Sequence, residues 1–279
     1  YDERNIMASE IKLKDFYNNW IEELRTRVND GSVTAMKRKP TLTIVQIGAN
    51  EASNKYVDYK IKDCKKVGIQ GEVYKIPESA GMTTKDLINL LRQCESDGVI
   101  VQLPVPHEID VKKASLAGMS CAQDVDGFLP GSPYIPATPK GILKWLDSQN
   151  MGEGSGKEAL IIGRSDIVGK PMAKLLTDRN YTVTLAHSKS PDIYELAQRK
   201  QLIICAVGKP NFLDLNRVPC GATVVDVGTH YVDGKLVGDC APGGPDTVRV
   251  TAVPGGVGLL TRAALLDNVI TAWEKNDGK

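Results

Sequence analysis

The apolar run Ala159-Leu160-Ile161-Ile162 leads directly into Gly163-Arg164-Ser165-Asp166-Ile167-Val168-Gly169-Lys170-Pro171, and helical spacing follows at Met172, Ala173, Leu175 and Leu176. A strand, a glycine turn and a helix start in that order constrain the chain more than any other stretch. Such a junction aims unpaired backbone N–H groups and the positive end of a helix dipole at one point, which suits a phosphate or pyrophosphate. The spelling is G-x-S-x-x-x-G rather than G-x-G-x-x-G, so taken alone it reads equally as a tight turn at a sheet edge. The flanking segments have to decide between the two.

They repeat a βαβ rhythm. Beyond Gly152-Glu153-Gly154-Ser155-Gly156, a polar stretch read as a linker or, being short, as only a loop, the pattern predicts strands at 159–162, Thr182 to Ala186, Leu202 to Val207 and Thr223 to Val227. Helices fall between them, one begun by Ser190-Pro191, and a hairpin turns at Asp233-Gly234. The N-terminal half has the same alternation. Leu13, Tyr17, Trp20, Ile21, Leu24 and Val28 mark an amphipathic helix ending near Asp30-Gly31. Strands follow at Thr41 to Ile47, Gly71 to Ile76 and Gly98 to Leu103. Between them lie a helix capped by Ser53 and stopped at Gly68, and another over Thr84 to Cys94. Thr138 then caps a helix with Pro139 in its first position. Alternating strands and helices imply parallel sheets, so the expected fold is two α/β domains, residues 1–150 and 151–260, the second a Rossmann-type doubly wound parallel sheet.

Several polar residues occupy informative places. Tyr56 and Lys60 are four apart beside the buried stripe Val57, Ile61, Cys64 and Val67. They read either as a chemical pair or as a surface lysine snorkelling past a half-buried tyrosine. Gln102 ends an apolar strand before Pro104-Val105-Pro106, at the sheet edge where ligands gather, or else it satisfies a nearby carbonyl. Asp124-Val125-Asp126-Gly127 is a loop with two carboxylates, ordinarily turn chemistry. After the strand at 182–186 comes His187-Ser188-Lys189-Ser190, with no carboxylate until Asp192. An NAD site places an acid there for the ribose hydroxyl; Arg164, Ser188 and Lys189 instead suit a 2′-phosphate, so NADP is favoured over NAD.

Charge and cysteine use remove other classes. With 35 basic and 34 acidic residues the chain carries a net +1, no electrostatic basis for nucleic acid. The six cysteines are scattered without a C-x-x-C pair, spelling neither a metal site nor a redox dithiol and pointing to a reducing compartment. No apolar run approaches the ~20 residues of a membrane helix, and no charged n-region with an apolar h-region opens the chain. A cytoplasmic protein is expected, although the chain opens on Tyr1, which leaves a preceding segment open.

Taken in order, Ser53-x-x-Tyr56-x-x-x-Lys60, Val101-Gln102-Leu103-Pro104, Asp124-Val125-Asp126-Gly127, Pro139-Lys140-Gly141, Gly163-Arg164-Ser165-x-Ile167-Val168-Gly169-x-Pro171, His187-Ser188-Lys189 and Pro254-Gly255-Gly256-Val257-Gly258 resemble the methylenetetrahydrofolate dehydrogenase/cyclohydrolase family over nearly the whole chain. The resemblance implies a folate-binding catalytic domain completed by a C-terminal helix over 261–279, a Rossmann-type NADP domain, a cleft between them and a homodimer. It implies Lys60 as general acid/base, Gln102 as its hydrogen-bond partner, Tyr56 packing on the folate and Asp126 holding the pterin. Gly255, Gly256 and Val257 would also line the folate. Gly163, Arg164, Ser165, Ile167, Ser188, Gly208 and Thr229 would bind NADP, with no metal required. The implied reaction oxidises 5,10-methylenetetrahydrofolate to the methenyl form and hydrolyses that to 10-formyltetrahydrofolate, in the one-carbon metabolism that feeds purine biosynthesis. The alternatives are a dehydrogenase without the hydrolytic step, or a folate- or nucleotide-binding protein without turnover. Departures from the family pattern fall at Ala252, Leu259, Leu260 and Thr229, in Asn5-Ile6-Met7-Ala8, and at Gly243-Gly244-Pro245, which looks like a shortened loop.

Overall fold

A computed structural model describes residues 8–30, 38–48 and 51–277; Tyr1, Asn5, Ile6, Met7, Gly31 and residues 278–279 of the sequence features above lie outside the described residues. The elements run β1 (Ser9–Ile11), α1 (Lys14–Asn29), β2 (Thr41–Ile47), α2 (Glu51–Val67), β3 (Gln70–Ile76), α3 (Thr84–Arg92), β4 (Gly98–Gln102), α4 (Val111–Gly118) and α5 (Ala137–Ser148). They continue with β5 (Glu158–Ile162), α6 (Gly169–Thr177), β6 (Thr182–Ala186), α7 (Ile193–Ala197), β7 (Leu202–Cys205), β8 (Thr223–Asp226), β9 (His230–Val232), β10 (Lys235–Val237), β11 (Arg249–Thr251) and α8 (Val257–Asp277). Two compact units result. Of the described residues, one unit takes those up to Tyr17 with Thr138–Thr261, and the other takes Asn18–Ala137 with those from Arg262 on.

The first unit is a six-stranded parallel sheet in the order β1-β11-β8-β7-β5-β6. Its central strands hold continuous buried apolar runs, residues 159–162 in β5 and Leu202–Cys205 in β7, because both faces are covered there. Ala159 and Ile161 pack with Trp145, Met172 and Leu176 on one side, while Leu160 and Ile162 pack with Ile203, Leu213 and Ala197 on the other. Ile142 and Leu146 of α5 belong to the first of those cores. That membership moves the unit boundary to 137/138 from the expected 150/151. The glycine-rich stretch at 152–156 is accordingly a loop inside this unit: Gly154 N–H donates to the Arg179 carbonyl at 2.8 Å, and a Cβ on Gly154 would overlap the Tyr181 ring. The hairpin of β9 and β10 turns through Asp233 and Gly234, both at positive φ.

The second unit holds a three-stranded parallel sheet, β3-β2-β4. Val45, Ile47 and Val99 face Leu87 and Leu91 of α3. The alternate residues face α2, as the hydrogen bonds that Gln46 donates to Ser53 and Asn54 and that Gln102 accepts from Lys60 establish. Strand β3 is one of its two edges, exposed at Gln70, Glu72, Tyr74 and Lys75.

Local differences from expectation concern caps and short pieces. Ser53 is the third residue of α2 and Thr138 the second of α5, so neither is the N-cap. Asp192 rather than Ser190 caps α7, accepting from Tyr194 N–H at 2.9 Å. Strands β1 and β11 are three residues each, too short for a period to register. Helix α4 is started by Asp110, which accepts from Lys113 N–H at 2.9 Å. Among the described residues no helix is long and apolar enough to cross a membrane.

Asp97, just before β4, ties α8 to this unit's sheet. It accepts both arms of the Arg38 fork at 2.6 and 2.7 Å, Thr41 N–H and Oγ1–H at 2.9 Å each, and Asn276 Nδ2 at 3.1 Å. Burial favours the neutral acid, but Arg38, Asn276 and Thr41 together hold its pKa below the usual aspartate value. A carboxylate lowered in the folded state adds stability that is present above its unfolded pKa, near ~4, and lost as pH falls through the folded value. Melting temperatures measured from neutral to acid pH are expected to show this acid-dependent component in the parent and less of it in Asp97→Asn.

Candidate active site

Spacings of three and four put Ser53, Tyr56 and Lys60 on one face of α2. Across from them, Gln46 of β2 and Gln102 of β4 are partners in the parallel register. Lys60 Nζ donates to Gln102 Oε1 at 2.9 Å, and Gln102 Nε2 donates to the Leu103 carbonyl at 2.7 Å. The second bond fixes the amide so that its oxygen faces the lysine. Lys60 is only 7% exposed, which excludes the surface-lysine reading. Its ammonium lies 5.2 Å from the centre of the Tyr56 ring.

Burial lowers the pKa of Lys60 below the ordinary lysine value; Asp126 and Cys64 pull it back up, and Arg262 pushes it down. Tyr56 is pushed up to about 12, chiefly by burial, so its phenol stays protonated. Cys64, also pushed up to about 12 by burial, stays a thiol.

The two carboxylates of the 124–127 loop have different surroundings. Asp124 is buried and accepts Leu129 N–H at 2.7 Å; burial raises its pKa. Asp126 is exposed, and its carboxylate makes no hydrogen bond to a described residue. Its loop is held firmly: Asn268 Nδ2 of α8 donates to the Val125 carbonyl at 2.8 Å and the Ile135 carbonyl at 3.1 Å. Gly127 sits at φ +70°, where a Cβ would overlap the backbone of Pro136.

Arg262 escaped sequence reasoning. Its Nε donates to Asp63 at 2.7 Å, and Asp63, 1% exposed, also pairs with Lys66 at 3.1 Å. The partners are 199 residues apart, and no local spacing announces such a pair.

In the other unit β5 is followed by Gly163, φ +119°, where a Cβ would overlap the Ala206 carbonyl; a Cβ on Gly169 would overlap the carbonyl of Gly163 itself. Ser165 Oγ accepts from the N–H groups of Val168 and Gly169 at 3.2 and 3.3 Å, so this serine satisfies part of the helix terminus itself. Ile167 is exposed. Arg164, Ser188 and Lys189 are exposed, and their side chains have no partner among the described residues. Asp192 is committed to capping α7 and to Arg217 at 3.4 Å. The end of β6 therefore presents basic and hydroxyl groups and no free acid.

The turn after β7 has a support that sequence reasoning also missed. Fully buried Asp239 accepts N–H bonds from Val207 at 2.6, Gly208 at 2.9 and Lys209 at 3.0 Å, with His230 Nε2 at 2.7 Å. Thr229 beside it is exposed. In the last glycine run, Gly255 has φ +96° and open space around its missing Cβ, whereas a Cβ on Gly256 would overlap the Ala252 carbonyl. The constraint at Gly256 is thus the turn itself rather than room for a ligand. Val257 opens α8. Leu260 is fully buried against the backbone of Gly141, and Leu259 is half-buried.

A parallel sheet covered on both faces, with a two-glycine turn between a strand and a helix start, defines the dinucleotide-binding class of α/β proteins. Residues 136–277 match the model of the tetrahydrofolate dehydrogenase/cyclohydrolase NAD(P)-binding domain, and residues 11–126 match that of the catalytic domain. The chain belongs to the tetrahydrofolate dehydrogenase/cyclohydrolase family. It is 38% identical over 268 residues to the "Bifunctional protein FolD" of Thermodesulfovibrio yellowstonii, covering 90% of this chain and 91% of that one. The crystal structure of the bifunctional methylenetetrahydrofolate dehydrogenase/cyclohydrolase from Campylobacter jejuni is 34% identical, with a TM-score of 0.84, over 94% of this chain and 97% of that one. The Trypanosoma brucei enzyme, solved with NADP cofactor and inhibitor, is 29% identical, with a TM-score of 0.87, over 97% and 98%.

Proposed function

We propose that this chain is a bifunctional one-carbon enzyme that oxidises 5,10-methylenetetrahydrofolate with NADP and hydrolyses the methenyl product to 10-formyltetrahydrofolate. The observation that carries it is Lys60, a buried amine held on the Gln102 amide beside Tyr56. The unit containing β2 to β4 serves as the folate-binding catalytic domain, and the six-stranded unit as the NADP domain.

NADP, when bound, supplies the acceptor for the hydride leaving the methylene carbon. In the hydrolytic step water adds to the methenyl carbon and its first proton passes to the Lys60 amine; the Lys60 ammonium then gives that proton to the departing ring nitrogen as the C–N bond breaks, and the carbinol O–H proton is released as the C=O of the formyl group forms on the other nitrogen. Burial lowers the lysine pKa, which favours the neutral amine this step needs, against the opposing pull of Asp126 and Cys64. Gln102 orients that amine, Tyr56 packs on the folate, and the uncommitted Asp126 carboxylate accepts the N–H donors of the pterin. A dehydrogenase-only reading leaves the Lys60–Gln102 pair without a task.

The glycine cradle at Gly163 and Gly169 fits a dinucleotide, and Arg164 and Ser188 suit a 2′-phosphate. Ser165, Ile167, Gly208 and Thr229 complete the cofactor site. Arg164→Ala is expected to weaken NADP by about 10-fold or more, the worth of a charge-assisted bond, and to leave NAD unchanged. Steady-state oxidation of methylenetetrahydrofolate with each cofactor checks this, and equal losses with both would remove Arg164 from the phosphate.

The proposal extends to a homodimer and a cytoplasmic setting serving purine biosynthesis. The exposed edge of β3, with Tyr74 44% exposed, offers an unpaired strand to a second copy, and the six free cysteines suit a reducing compartment.

A further inference from the structure

Gln46 and Gln102 are register partners on adjacent strands, so their side chains rise from the same face, about 5 Å apart. That face lies under α2. Gln46 is 1% exposed. Its amide nitrogen donates to Asn54 Oδ1 at 2.7 Å and to Ser53 Oγ at 3.4 Å, which uses both of its protons. Its amide oxygen is buried without any hydrogen-bond partner, the one such side-chain atom among the described residues. A buried acceptor left unpaired is costly, and native structures keep few of them.

Lys60 has the opposite imbalance. Its ammonium form carries three donors, and only one is met, by Gln102 Oε1. A long side chain on a helix leans back over the turn N-terminal to its own Cα. Here that turn holds Tyr56, with Ser53 one turn further, and Ser53 is the residue that touches Gln46. That lean and the shared sheet face put the Lys60 head and the unpaired Gln46 oxygen on the same side of the sheet, under α2.

We propose that Gln46 is a positioning residue for proton transfer at Lys60: its amide oxygen and that of Gln102 form a two-carbonyl cradle, and the lysine takes up the second bond when it becomes an ammonium. This rests on the reading of Lys60 as the group that accepts the proton from water. When the water oxygen bonds to the methenyl carbon, the released proton resides on Nζ, and Gln46 supplies an acceptor for the added N–H. The other groups facing Lys60 are already committed. Tyr56 and Cys64 on α2 stay protonated, and Arg262 from α8 is paired with Asp63 and opposes a second cation. Asp126 lies in the loop before α5 and favours the ammonium through space. From the sheet, β2 and β4 offer no ionisable side chain on this face, only the two amides.

The test is the pH profile for hydrolysis of supplied methenyltetrahydrofolate, corrected for spontaneous hydrolysis, in the parent, Gln46→Leu, Gln46→Glu and Lys60→Met. Loss of an acceptor disfavours the ammonium, so the acid limb in Gln46→Leu should move to lower pH by about one unit. Gln46→Glu places a negative charge there and should move the limb to higher pH by at least as much. The folate KM should change less than about threefold in both. If Gln46 only pins the start of α2, thermal stability or KM changes while the limb stays put, and the proposal is overturned; movement in the same direction in both variants overturns it too. If Gln46→Leu does not fold, the nearly isosteric Gln46→Glu decides alone by the same criterion. Parental-rate hydrolysis by Lys60→Met, or a parental profile without an acid limb, would instead overturn the underlying role of Lys60. A crippled Lys60→Met with unmoved limbs in the Gln46 variants rejects the cradle alone.

Discussion

In Lys60→Met, hydrolysis of supplied methenyltetrahydrofolate falls by about 10²–10⁴-fold, the range of a positioned acid/base, while folate binding survives. Methionine retains most of the buried stem and removes the amine, so the packing under α2 is kept and the Gln102 oxygen loses its donor. The dehydrogenase step retains more activity, because hydride departs with electron push from the adjacent nitrogen and needs alignment more than a proton acceptor. The pH dependence has a definite sign. The pKa of Lys60 is depressed, chiefly by burial, so the neutral amine gains population as pH rises and the parental hydrolysis rate climbs through that pKa and then levels. Parental-rate hydrolysis by Lys60→Met would leave the Lys60–Gln102 pair a structural contact only.

Asp126→Ala is expected to weaken folate in both reactions by about 1.5–3 kcal/mol, the usual worth of hydrogen bonds to a charged group, or roughly 10- to 150-fold in affinity. The variant should fold as the parent does. Asp126 is exposed and its carboxylate holds nothing among the described residues, while the loop is fastened by Asn268, by Gly127 and by the neighbouring Asp124. Binding titrations with tetrahydrofolate, set beside melting curves, separate the two effects. Unchanged folate affinity would make Asp126 a turn residue, and a lowered melting temperature would show that it supports the loop.

How much of this was legible beforehand depended on whether the signal was local. Strand β5, its glycine turn and α6 were readable because a continuous apolar run, two glycines and a helical period occupy twenty adjacent residues. Tyr56, Lys60 and Gln102 could be singled out by spacing and strand position, but not the burial of Lys60, which depends on how α2 sits on β2 and β4. The unit boundary was misplaced because composition at 152–156 imitates a linker, whereas the packing of Trp145 and Leu146 with Ile161 assigns α5 to the later unit. Arg262 with Asp63, Asp239 under the 207–209 turn, and Gln46 beside Gln102 were invisible for one reason. Each is a contact between elements far apart in the chain, and a single sequence carries no spacing for it.

The most direct measurement mixes the protein with methylenetetrahydrofolate and NADP in a stopped-flow instrument and follows the methenyl absorbance alongside NADPH. A single Lys60-centred site handling both steps predicts that the parent forms NADPH with little methenyl build-up and delivers 10-formyltetrahydrofolate. In Lys60→Met, methenyl should accumulate nearly in step with NADPH and decay only at the spontaneous rate. Methenyl accumulating to the same extent in the parent, or decaying equally fast in both proteins, would contradict the account.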